Sequence, residues 1–207
     1  RVLLPYLQEA VLIFEEGGDI KSIDKTLFDF GMPMGAFTLI DTVGVDIGSS
    51  VATILNNAYG ERMSVSTLMQ EMLTKKWLGK KVQLGFYDYK PAIPIVNQDI
   101  AILQKGSDKI SQEKIITRTM MIMINEASRC LEEDIVDNAR YLDMAMVMGT
   151  GFPAFRGGLL RYADTLGAKV ILDSLNELQD IHGKRFVPSQ LLEEMAKNND
   201  TFYGGVL

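Results

Sequence analysis

The sequence predicts an all-α protein built from two tandem copies of one helical unit, on three observations. Apolar residues recur at helical spacing along most of the chain. Glycines fall where the periodic segments stop. Charged and glycine landmarks of the first half return in the second at nearly constant separation, which marks an internal repeat.

Taken in order, residues 2–14 place Leu3, Tyr6, Leu7, Ala10, Val11 and Phe14 on one stripe, and Gly17-Gly18 follows as a stop. A second helix fits 20–30, with Ile20, Ile23 and Leu27 on one face and Asp19 placed to cap it. The stretch GMPMG at 31–35 breaks the pattern, because proline removes a backbone donor and glycine does not hold a helix. Helices resume at 36–43, 46–59 and 65–76, each stopped near Gly44, Gly60 or Gly79. Residues 85–106 hold Pro91 and Pro94 and lack a helical period, so they read as an extended or irregular connector. A long amphipathic helix at about 109–133 then opens the second half.

The repeat can be followed residue by residue. Arg1, Glu9-Ala10 and Glu15-Glu16 recur as Arg118, Glu126-Ala127 and Glu132-Glu133, 117 positions on. Asp24 recurs as Asp143 at 119. DTVG at 41–44 recurs as DTLG at 164–167, and Gly60, Arg62, Leu68, Glu71 and Met72 recur as Gly183, Arg185, Leu191, Glu194 and Met195, all at 123. The second copy therefore carries four extra residues between Asp143 and Asp164. We divide the chain into a first copy, 1–90, a connector, 91–108, and a second copy, 109–207.

Composition removes several classes of function. A formal charge of −6 with scattered basic residues argues against a nucleic acid or an anionic membrane as partner. One cysteine excludes an internal disulfide, and one cysteine with one histidine excludes the usual zinc sets, so no metal is expected. The most apolar run, Met120–Ile124, is far shorter than the roughly 18 residues of a membrane span and reads as buried helix. The opening RVLLPYLQEA shows no signal-peptide pattern and lacks an initiator Met, so we expect a segment of a longer chain.

Candidate chemistry is thin. Gly149-Thr-Gly151-Phe-Pro-Ala154 fits the G-x-G-x-x-(G/A) pattern of a dinucleotide turn. That turn requires a preceding strand, whereas ARYLDMAMVM is rich in helix formers, and the matching place in the first copy has no such pattern. It reads as a connector between helices. Cys130 with His182 suggests a thiol and its base, but Cys130 falls at the place of Ile13 on an apolar face. His182 sits at a helix end before glycine, where a partly charged imidazole suits the helix dipole. Glu9 and Glu126, one per copy, read as structural hydrogen-bonding groups, as do Asp41 and Asp164. Twelve methionines read as core filling, and Lys75-Lys76 and Lys80-Lys81 as solvated helix ends. We expect no catalytic residue, no cofactor site and no metal ligand in this chain.

Taken together, RVLLPYLQEA, FGMPMGAFTLIDTVGVD and LGFYDY in the first copy, with NEASRCLEE, GTGFPAFRGGLLRYADTLGA and FVPSQLLEEMAKNNDTFY in the second, resemble the C-terminal region of the 3-hydroxyacyl-CoA dehydrogenase family. They are most similar to its multifunctional fatty acid β-oxidation members, in which the module occurs twice. The resemblance implies a helical fold like the C-terminal domain of 6-phosphogluconate dehydrogenase. It further implies NAD-dependent oxidation of 3-hydroxyacyl-CoA to 3-ketoacyl-CoA, with NAD and the catalytic His and Glu on an upstream Rossmann domain. An upstream crotonase-like domain with enoyl-CoA hydratase activity and a thiolase β subunit are the implied partners. The implied setting is the bacterial cytoplasm, with a mitochondrion as the alternative. In the family a substrate-contacting Asn precedes the Arg that matches Arg1, and Met148 stands where some relatives have a substrate-contacting Tyr. The chain departs from the family again at 79–87, with GKKVQLGFY for the glycine-rich GRKSGKGFY. The candidate acyl-CoA contacts are Arg1, Gly31, Met32, Pro33, Met34, Gly35 and Met148, and the module closes the cleft over the substrate. The alternative is a purely structural module that docks the thiolase subunit or a second protomer.

Overall fold

A computed structural model describes residues 1–63 and 65–204. Residue 64 and the last three residues of the second copy, 205–207, lie outside the described residues. Ten helices are described: α1 Leu3–Glu15, α2 Ile20–Phe30, α3 Ala36–Val43, α4 Val45–Tyr59, α5 Thr67–Thr74, α6 Gln112–Glu132, α7 Ala139–Thr150, α8 Leu159–Leu166, α9 Ala168–His182 and α10 Gln190–Asn198. The all-α expectation holds apart from a two-residue antiparallel ladder, β1 Tyr87–Asp88 with β2 Ile95–Val96, paired Tyr87 to Val96 and Asp88 to Ile95.

The repeat in the sequence is a repeat of elements. The helices α1 to α5 recur as α6 to α10, with α6 extended at its start. Caps fall where the residue types require them. Asp19 accepts from Ser22 N at 2.7 Å, as expected, and Ser66, Ser111, Asn138 and Ser189 cap α5, α6, α7 and α10 in the same way. Gly31 and Gly151, at φ 119° and 71°, end α2 and α7 in the left-handed region that other residues avoid.

The core is one cluster that spans both copies. At its centre α1 packs on α6, and α6 also touches α2, α8, α9 and α10. Such a position buries a helix on nearly every side, Arg118 to Ser128 without interruption, and the polar residues within that run each have a hydrogen-bond or ion-pair partner. The connector is no free linker. A 3-10 turn at Ile100–Leu103 buries both of its ends, and residues 104–108 hydrogen-bond along the end of α1.

Candidate functional site

The centre of the molecule is a reciprocal exchange of charge between the copies. Glu9 of α1 is fully buried, and Arg118 Nε of α6 donates to it at 2.7 Å while Arg185 Nε donates at 2.8 Å. Arg118 also grips Glu16, with Nη2 to Oε1 at 2.9 Å. The mirror arrangement uses the twin residues: Arg1 pairs with Glu126 and, at 2.8 Å, with Glu133, and Arg62 reaches Glu133 at 2.9 Å. Tyr59 lies under both guanidiniums of this second cluster, 4.8 Å from Arg1 and 4.5 Å from Arg62.

Burial by itself would lower the pKa of Arg118, but the Glu16 and Glu9 carboxylates outweigh it and the net direction is up. Arg1 behaves in the same way with Glu126 and Glu133. Both guanidiniums are held charged. Removing one partner of such a buried pair costs about 3–5 kcal/mol, because the other charge is left uncompensated. The carboxylates Glu9 and Glu126 are thus structural, as expected, with guanidinium partners from the opposite copy.

Two further acids per copy pin helix to helix. Asp24 of α2 accepts from Phe37 N at 2.8 Å and Thr38 N at 3.1 Å, holding the start of α3, and Tyr87 Oη closes on it at 3.0 Å. Asp143 does the same for α8 through Leu160 N at 2.7 Å, Arg161 N at 3.0 Å and Tyr203 Oη at 2.7 Å. Asp41 accepts from Phe86 N, Tyr87 N and Tyr89 Oη, and its twin Asp164 from Phe202 N and Tyr203 N. Every one of these oxygens faces donors from its own copy, which is a scaffold's use of a carboxylate.

The two inter-helix turns of the candidate site face one another. A Cβ on Gly31 would lie 2.7 Å from the Phe155 ring, and one on Gly151 would lie 2.7 Å from Pro33. Arg156 crosses this seam, donating to the Phe30 carbonyl at 3.2 and 3.1 Å and stacking 3.9 Å over the Phe30 ring. Met32 is buried, Met34 half-buried and Pro33 exposed. Gly35 is tight against the Asp24 carboxyl. Met148 is 82% exposed on α7, and Arg1 is engaged in the charge cluster with Glu126 and Glu133. The turns from the two copies are therefore brought together, and Arg1 belongs to a separate construction.

The dinucleotide pattern does not fit a nucleotide. Gly149 lies inside α7, Gly151 is its left-handed cap, and a 3-10 turn at Ala154–Arg156 follows. No strand precedes it, so the geometry that presents amides to a pyrophosphate is missing and the residues here do not fit NAD. The connector reading needs one refinement, since its first glycine is helical. Cys130 is buried, and burial raises its thiol pKa. His182 lies in the other charge cluster, its Nδ1 3.8 Å from Glu16. Burial and then the Arg118 charge lower its pKa. Lys75 and Lys80 lie over Trp77 and Tyr89, and Lys81 pairs with Asp46.

The sequence reading missed an apolar wall. From Ile47 to Tyr59, α4 carries no charge, and Ile47 and Ile54 are 50% and 64% exposed, with Val51 and Leu55 half-buried beside them. Its inner edge borders a narrow groove lined by Leu4, Pro5, Ala52, Leu55 and Met63, where the side chains of Gln8 and Arg62 each leave a buried nitrogen without a hydrogen bond. The twin helix α9 has Ser174 and Glu177 where α4 has Val51 and Ile54. That difference is legible in the sequence, where Ser174 and Glu177 stand 123 positions after Val51 and Ile54. Among the described residues no group of three His, Cys, Asp or Glu side chains converges as a metal site, and no single helix is long and apolar enough to cross a membrane.

With this geometry in place, comparison with known proteins is specific. The family model for 3-hydroxyacyl-CoA dehydrogenase, C-terminal domain, matches residues 1–89 and 115–202. The fatty acid oxidation complex subunit alpha of Idiomarina loihiensis is 36% identical over 98% of this chain, which spans 29% of that relative's length. Two solved structures share the fold. The 3-hydroxybutyryl-CoA dehydrogenase of Escherichia coli K12 superposes with TM-score 0.81 at 23% identity, covering 96% of this chain and 59% of that one. The dehydrogenase part of multifunctional enzyme 1 from C. elegans gives 0.71 at 24%, covering 93% and 46%.

Proposed function

The chain belongs to the 3-hydroxyacyl-CoA dehydrogenase family through its C-terminal domain, and from that premise we propose that its first copy forms one wall of an acyl-CoA cleft. The opposite wall, the NAD and the catalytic acid–base pair belong to a Rossmann domain elsewhere in the polypeptide, and this segment alone turns over no substrate. An enoyl-CoA hydratase activity upstream belongs to the same reading. The observation that carries it is the uncharged, exposed face of α4, continuous with the Leu4–Pro5 groove at the start of α1 and absent from α9. An apolar face of this kind suits an acyl chain and a closing domain, since each buried CH2 contributes about 0.8 kcal/mol. The turn Gly31–Gly35 lies against the second copy, Gly31 on Phe155 and Pro33 on Gly151, and of its residues Pro33 alone is exposed, as is Met148 on α7.

The test is steady-state kinetics of the full-length protein carrying Ile54→Glu. The expected outcome is a KM for 3-hydroxyacyl-CoA raised about tenfold, equivalent to ~1.4 kcal/mol, with no change in thermal midpoint because Ile54 is exposed. An unchanged KM sinks the proposal. A second reading, an assembly module that docks a thiolase subunit or a second protomer, is favoured by α7. There Tyr141, Met144 and Met148 are 55%, 57% and 82% exposed, where α2 has Ser22, Lys25 and Asp29. Met144→Glu would then release the partner in size-exclusion chromatography and leave KM unchanged.

A further inference from the structure

In the first copy, a groove at the end of α1 is filled by the chain's own residues 97–106. Asn97 N donates to the Phe86 carbonyl at 2.9 Å, which anchors one end. The 3-10 turn then drops Ile100 and Leu103 inward, 1% and 6% exposed. Gln104 Nε2 donates to the carbonyls of Phe14 and Gly18, and Lys105 N and Gly106 N donate to that of Glu15 at 2.7 and 2.8 Å. The Lys105 ammonium closes the far end on the Glu15 carboxylate and Thr67 Oγ1, each at 3.0 Å. With this segment in place Phe14, Leu68 and Phe86 are 3%, 1% and 0% exposed.

The second copy has the same groove. Leu131, Leu191 and Phe202 are the twins of Phe14, Leu68 and Phe86, and all three are half-buried. They line an open concavity with Met195 and Asp200. Glu132, the twin of Glu15, is exposed just outside this lining and accepts from Leu191 N at 3.3 Å. Among the described residues no segment occupies this groove as 97–106 occupies the first. The fold has thus built the receptor twice and shows its ligand once.

We propose that this groove binds a segment of a partner polypeptide that offers two apolar side chains three residues apart, followed two residues later by a lysine. That is the chemistry of Ile100, Leu103 and Lys105. The charge of the rim agrees. Glu132 and Asp134 are both exposed, and the repeat puts Glu132 where Glu15 meets Lys105 in the first copy. Asp134 also limits the occupant. Its twin Gly17 allows the backbone of Ser107 and Asp108 to pass within van der Waals distance, and a Cβ there would collide. The bound segment therefore leaves the surface after its lysine and does not turn the corner. This proposal is independent of acyl-CoA, because the groove is built by α6, α10 and the strand of chain around Phe202, with no residue of the α4 wall.

A fluorescein-labelled peptide matching residues 95–106, IVNQDIAILQKG, titrated with the full chain and followed by anisotropy, tests this. Saturable binding is expected. Affinity should fall at least about tenfold with Leu191→Asp in the protein, and again with the peptide's Lys105→Glu. Leu191 is half-buried, so its variant is checked by circular dichroism. If it does not fold, Glu132→Lys on the exposed rim decides, and it should weaken the lysine peptide while strengthening its glutamate counterpart. Failure to saturate, or equal affinity in Leu191→Asp and wild type, overturns the proposal. So does a chain dimer, seen by sedimentation, that Leu191→Asp dissolves and the peptide leaves intact.

Discussion

Asp41 is almost fully buried, and burial pushes its carboxyl up to about 6 against the pull of the Tyr87, Phe86 and Tyr89 donors, with the Asp24 charge pushing the same way. In the unfolded chain an aspartate titrates near 3.9. The folded state therefore holds this proton more tightly. The stability it contributes is fully present below about pH 4 and is lost as pH rises to about 6, up to about 3 kcal/mol in all. Urea unfolding at intervals between pH 4 and 7 checks this: Asp41→Asn flattens part of the slope, and the rest belongs to Asp24 and Asp164, whose pKa values are also raised. Glycines give a second prediction at this scale. Gly35→Ala drives a methyl into the Asp24 carboxyl and costs about 1–3 kcal/mol. Gly149→Ala has nothing within 4 Å and lies in a helix, so it stabilises by up to about 1 kcal/mol. Thermal melts of the two variants should move in opposite directions. A nucleotide loop would not tolerate the second change silently, so the pair also separates the two meanings of that glycine pattern.

Helix ends are where the sequence was most legible. The limits of α2 and α3 match the reading to the residue, because Gly31 and Gly44 sit at φ 119° and 105° and no other residue type suits those stops. α5 ends at Thr74, two residues before the end its sequence predicts, since Lys75 and Lys76 are good helix formers and yet Lys76 leaves the helix at φ 57°. What caps a helix from a distance was not legible. Arg156, from the enlarged connector of the second copy, satisfies the last carbonyl of α2 in the first, 126 positions away. Its cue was the insertion itself, four residues that bring an arginine and an aromatic to a turn whose twin has neither. Lysine cannot reproduce the two donated bonds or the flat stack on Phe30. Arg156→Lys should cost about 1–2 kcal/mol, measured by chemical denaturation, and should loosen hydrogen exchange at the end of α2 before that of α7.

At the scale of the molecule, the charge exchange makes the two copies complementary to each other and each complementary to itself. Arg1 and Arg62 stand to Glu126 and Glu133 as Arg118 and Arg185 stand to Glu9 and Glu16. Residues 1–108 carry both halves of the code. Expressed alone, they should assemble as a symmetric dimer, with Arg1 of one molecule on Glu9 of the other. Sedimentation equilibrium distinguishes this from a monomer, and Glu9→Arg should abolish the assembly. The recurrence of these residues was visible in the sequence, and their partnership was not. A glutamate in the middle of an apolar stripe states that a cation must reach it, while its source in the opposite copy follows from the packing of α1 on α6 alone.

The divergence of α4 from α9 has a consequence for stoichiometry. Two identical subunits would display two identical apolar walls, and whatever met one would be free to meet the other. With the copies joined in one chain and Glu177 on the second where Ile54 stands on the first, the proposed wall would be offered once per polypeptide and in a fixed direction.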